Sequence, residues 1–110
     1  MPPVDVQRGL RGPLRAYAFG WRCALDCDGV CCRGLLVDMD RVGARVELGA
    51  EPPWPCGAPR VRMMIERRTG QGFIRRFEGS VRYREGGTVM VHFDKPLTEG
   101  LGDLQRFFSD

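Results

Sequence analysis

The chain has 110 residues, 43% of them hydrophobic, which supports one compact core and excludes two domains of ordinary size. Its net charge of +3 suits an anionic partner but falls short of what a dedicated duplex-DNA binder carries. Lys95 is the only lysine, so nearly every cation is an arginine, the side chain that forks onto phosphates and guanine edges and stacks on flat rings.

Residues 1–13 are broken by glycine and proline and carry Arg8 and Arg11 among few apolar side chains. They are expected to form a flexible basic arm. Residues 14–110 are expected to form a single β-barrel domain. From Leu14 to Cys23 the period is two, with Tyr17, Phe19 and Trp21 facing inward, and "DCDG" (Asp26 to Gly29) supplies the turn. Val30 to Val37 reads as a second strand and Ala44 to Leu48 as a third, with Ala44, Val46 and Leu48 inward. The proline-rich "GAEPPWPCGAP" is a loop, because proline cannot donate to a sheet ladder. A fourth strand spans Arg60 to Arg67, with Val61, Met63 and Ile65 inward. After the "TGQG" turn comes a long fifth strand with Phe77, Gly79, Val81 and Tyr83 inward. A tight "EGG" hairpin leads to a sixth strand bearing Val89, Val91 and Phe93 on one face. Beyond Pro96 the period becomes helical, with Leu97, Leu101, Leu104 and Phe108 on one stripe. Six short antiparallel strands and a short C-terminal α-helix predict an all-β, six-stranded antiparallel barrel, since closure removes exposed sheet edges.

No apolar run is long enough to span a bilayer, and "MPPVDVQRG" lacks the apolar region of a signal peptide. A cytoplasmic protein without membrane insertion is expected. The five cysteines, Cys23, Cys27, Cys31, Cys32 and Cys56, are an odd number and should stay free. Their spacing does not match a zinc knuckle, and His92 and Cys56 lie far from the other four, so no metal site is expected. Cys31 and Cys32 point to opposite faces, which predicts burial of at least one of them. Serine in place of Cys23 and Cys27 is expected to leave folding nearly unchanged.

His92, the only histidine, sits on the face opposite Val91 and Phe93 and reads as a surface residue. Nothing matches a nucleophile elbow, a P-loop or a paired acid/base constellation, so no enzyme and no catalytic residue is expected. A barrel that stacks single-stranded nucleic acid needs Tyr17, Phe19 or Trp21 on its outside. The alternation turns them inward, and no DNA or RNA partner is expected. Asp38 and Asp40 end the second strand and could form a dyad, although a solvated turn capped by aspartate is the simpler account.

A basic arm facing that acidic turn has a counterpart among known modules. "RGPLR" supplies Arg11 and Arg15 in an Arg-x-x-x-Arg pattern ahead of the first strand. "DMDRVG" supplies Asp38, Asp40 and Gly43 in an Asp/Asn-x-Ser-x-x-Gly pattern, with Asp40 in the serine place. With the terminal hairpin and helix, the chain resembles the PilZ domain, the bacterial receptor module for cyclic di-GMP, over nearly its whole length. The resemblance implies cyclic di-GMP as ligand, no other cofactor, and Arg11, Arg15, Asp38, Asp40 and Gly43 as binding residues, with Arg8 as an additional contact. Arginine suits phosphates and the O6/N7 edge of guanine, while a carboxylate such as Asp38 suits the N1–H and N2–H₂ edge. Gly43 would let the backbone turn tightly and approach the ligand. Asp40 departs from the family's serine and sets a charge near a ligand phosphate. The output would pass to an effector protein as the arm orders. The alternative is a degenerate PilZ-like adaptor that binds no nucleotide and acts through protein contacts.

Overall fold

A computed structural model describes residues 16–109. Six antiparallel strands close into a barrel in the order β1-β2-β3-β6-β5-β4. They are β1 (Ala16–Cys27), β2 (Val30–Met39), β3 (Gly43–Glu47), β4 (Arg60–Glu66), β5 (Phe73–Glu85) and β6 (Thr88–Phe93), followed by helix α1 (Leu101–Ser109). The expected fold class is the observed one. Residues Arg8, Arg11 and Arg15, and the expected arm as a whole, lie outside the described residues.

The first strand runs four residues further than the expected end at Cys23. Leu25 is fully buried and Asp26 pairs with Cys31 on one side and Arg62 on the other, so the ladder continues to Cys27. The turn is then only Asp28-Gly29, both with positive φ (51° and 87°), the backbone that a two-residue hairpin between twisted strands requires.

The core is formed by inward residues of all six strands, with Leu25, Leu36, Met39, Met63, Ile65 and Val46 fully enclosed. One end is closed by the C-terminal segment. Leu97, Leu104 and Phe108 are buried there, although Leu97 belongs to the loop before α1 rather than to the helix. Trp21 ties the helix to β1. Its Nε1–H donates to the Phe108 carbonyl at 2.9 Å, its ring stacks on Phe107 at 5.1 Å, and the Arg68 guanidinium lies over it at 4.7 Å. Trp54 anchors the proline-rich loop from inside, buried and donating to the Val30 carbonyl at 3.1 Å.

Two expectations about side-chain direction fail. The pairing of β5 with β6 shifts between Val81 and Tyr83, so one extra residue reverses the alternation and Tyr83 is 53% exposed instead of inward. Among the thiols, Cys23 and Cys27 are the buried ones, Cys31 is exposed and Cys32 half-buried, because the strand extends through Cys27. All five cysteines are free thiols. Burial, and secondarily the Glu66 charge, pushes the Cys23 thiol up to about 12. His92 is exposed, as expected.

Candidate functional site

The β2–β3 junction owes its form to one irregularity. Leu36 faces Val46, but the next paired position is Asp38 opposite Arg45, so Val37 is an extra residue in β2. Strict alternation would have aimed Asp38 into the core with Leu36. The bulge instead gives the core side to Met39, paired with Ala44, and leaves Asp38 on the outer side with Arg45. Even so, Asp38 is only 1% exposed. Its carboxylate accepts a charge-assisted hydrogen bond from Arg45 Nη2 at 2.8 Å, and the guanidinium remains half exposed.

Asp40 does different work. Its Oδ1 accepts the backbone N–H of Val42 at 2.8 Å and of Gly43 at 2.9 Å, and its own N–H donates to the Gly43 carbonyl at 2.9 Å. This is an aspartate-capped turn, the local chemistry for which aspartate is favoured in tight loops. The expected capping is present but the expected solvation is not, since Asp40 is 4% exposed. In these contacts one carboxylate meets a guanidinium and the other backbone amides.

The reason assigned to Gly43 from sequence needs correction. Its φ is not in the left-handed region. A Cβ at this position would meet the Val91 carbonyl oxygen at 2.5 Å, so glycine is required because β6 passes too close. Left-handed backbone freedom is not needed to explain it.

The turn is also fastened to the segment that follows β6. Phe93 N–H donates to the Val42 carbonyl at 2.8 Å, Leu97 N–H donates to the Arg41 carbonyl at 2.7 Å, and Arg41 Nε donates back to the Leu97 carbonyl at 2.8 Å. Residues 41–42 are thus hydrogen-bonded directly to Phe93 and Leu97. Arg41 and Arg45 were not singled out from the sequence. Arg45 could have been, as the outward residue of the third strand facing the end of the second. Arg41 could not, because its partner is 56 positions away.

The register of β1 sets what else can reach this place. Ala16 pairs with Met39 and Tyr17 with Asp38, so the chain enters the barrel alongside the acidic turn. Arg15 is the residue immediately before Ala16. A separate cleft of about 520 Å³ opens on the β5 flank, lined by Arg75, Arg76, Phe77, Asp94, Lys95 and Glu99 among others, and includes none of Asp38, Asp40 and Gly43. Among the described residues no group of three or more histidine, cysteine or acidic side chains is arranged to hold a metal ion, and no helix is long and apolar enough to cross a membrane. Compared with protein-family models the chain matches none. Compared with curated proteins it likewise matches none.

Proposed function

We propose that this chain is a PilZ-type receptor module that binds cyclic di-GMP at the β2–β3 junction and relays occupancy to a partner protein. The observation that carries the reading is the pairing of Ala16 with Met39, which makes Arg15 the neighbour of a residue lying beside the Asp38–Gly43 turn. The Arg-x-x-x-Arg motif ends one residue before that pairing, with Arg15 23 positions ahead of Asp38 in the sequence. Arg11 and Arg15 supply the phosphate and Hoogsteen-edge chemistry, and Asp38 the acceptor for the guanine N1–H and N2–H₂ donors. Asp40 takes a scaffold role: its Oδ1 shapes the turn and its charge tempers affinity. The hydrogen bonds from residues 41–42 to Phe93 and Leu97 offer the route by which binding is relayed.

The runner-up is an adaptor that binds no nucleotide and works through protein contacts alone. It is favoured by the engagement of both carboxylates within the fold, Asp38 with Arg45 and Asp40 with two amides. Calorimetry on the full chain separates the two readings. A saturable heat with cyclic di-GMP that is lost in Arg15→Ala and in Asp38→Ala supports the receptor. No heat from the parent protein overturns the receptor and leaves the adaptor.

A further inference from the structure

We propose that the edge of β5 around Arg76 is a docking site for an extended, acidic segment of a partner protein, which adds to the barrel as a short strand. The barrel is closed, yet its closure is incomplete on this flank. β4 pairs with β5 from Phe73 to Ser80, whereas β6 stops at Phe93 opposite Gly79. The other edge of β5, from Phe73 to Glu78, therefore has no strand beside it among the described residues.

The direction of the backbone groups there follows from one hydrogen bond. Asp94 N–H donates to the Glu78 carbonyl at 2.8 Å, so Glu78 turns its backbone polar groups toward this edge. Alternation gives Arg76, two residues earlier, the same orientation. Among the described residues, the N–H and C=O of Arg76 and the N–H of Glu78 have no backbone partner on this side. A row of such groups is a template for another strand, and natural sheets cover or charge it where pairing is unwanted. Here a cleft of about 520 Å³ opens over it, with the stacked rings of Phe77 and Phe93 (4.8 Å) among its lining. That space suits a few residues of extended chain.

Charge selects the occupant. Each acidic residue of the cleft already has its own arginine: Asp94 with Arg60 at 2.5 Å, Glu78 with Arg62 at 3.4 Å and Glu99 with Arg75 at 2.6 Å. Arg76 and Lys95 line the same cleft, are exposed, and form no salt bridge among the described residues, Lys95 acting on the Asp94 charge only at longer range. A strand carrying carboxylates on alternate positions satisfies the edge amides and both cations together. The chain's own first fifteen residues, with Arg8, Arg11 and Arg15, bring the wrong sign, and a second copy's identical edge would set Arg76 and Lys95 against their equivalents. The docking edge goes beyond the nucleotide reading and stands or falls without it.

The test is a titration of the ¹⁵N-labelled full chain with the acetylated, amidated pentapeptide EVDVE, compared with two versions N-methylated on odd or on even residues. The expected result is shifted and exchange-protected amides at Arg76 and Glu78. Only one of the two methylated peptides should lose binding, because a strand pairs through alternate residues. The Arg76→Glu, Lys95→Glu protein should bind the unmodified peptide about tenfold more weakly at low salt. Unperturbed Arg76 and Glu78 amides at millimolar peptide, or equal binding of both methylated peptides to the parent protein, overturns the proposal.

Discussion

Asp40 and Gly43 close the β2–β3 turn on each other: the Asp40 N–H donates to the Gly43 carbonyl, and the Gly43 N–H donates to Asp40 Oδ1, each at 2.9 Å. A carboxylate placed where the resemblance expects a hydroxyl thus has a purpose inside the fold, because it also holds the Val42 amide at 2.8 Å. Removing it orphans a buried amide at Gly43. Asp40→Ala should lower stability by about 1–3 kcal/mol in urea unfolding, with serine or asparagine recovering most of the loss because each keeps an oxygen within reach of the amides. If the receptor reading holds, Asp40→Ser should also tighten cyclic di-GMP binding several-fold by removing a negative charge near the phosphates, and added salt should shrink the gain. Tighter binding that is insensitive to salt would contradict the electrostatic account.

Gly43 is intolerant for a different reason. Alanine would set its Cβ 2.5 Å from the Val91 carbonyl oxygen, which is backbone and cannot swing aside. Gly43→Ala should therefore destabilise by about 1–3 kcal/mol through forced separation of β3 and β6. Equilibrium unfolding measures this directly, and a neutral result would mean that the two strands have slack at this register.

Trp21 holds the barrel's closed end. Trp21→Phe keeps an aromatic ring but removes the Nε1–H donor to the Phe108 carbonyl, at a cost of about 1 kcal/mol. The loss should be local before it is global, so amide exchange of Leu104 to Phe108 should accelerate while that of Val89 and Val91 stays slow.

The thiols should divide by burial. Native-state alkylation read by mass spectrometry should label Cys31 and Cys56 and spare Cys23 and Cys27. Cys23 retains its proton in the fold to about pH 12, whereas the unfolded thiol releases it near 9.0. The folded state then binds more protons between those values, so the Cys23 contribution to stability falls as pH rises through that window. The serine replacement of Cys23 and Cys27, expected from sequence to be nearly neutral, should instead cost about 1–3 kcal/mol by placing a hydroxyl where Cys23 is fully buried.

The barrel was legible because its period-two runs are long: Val61, Met63 and Ile65 in β4, and Val89, Val91 and Phe93 in β6, all face the core as the alternation requires. The bulges were not. A single inserted residue such as Val37 leaves no mark in composition, yet it decides that Asp38 meets Arg45 instead of the core, and a similar shift turns Tyr83 outward. The positions of Asp38, Asp40 and Gly43 at one junction were readable from their spacing. Their roles required contacts distant in sequence, such as the Val91 carbonyl against Gly43 and the Leu97 carbonyl on Arg41. Trp54 was hidden by its context, since a proline-rich loop gives no periodicity to show that one of its side chains is core.

The most direct measurement is an amide-resolved NMR titration of the ¹⁵N-labelled full chain with cyclic di-GMP. The receptor account predicts saturable shifts concentrated at Arg15, at residues 38–43, and, through the hydrogen bonds of Arg41 and Val42, at Phe93 and Leu97. Shifts confined to another face of the barrel, or no shifts at saturating ligand, would contradict it.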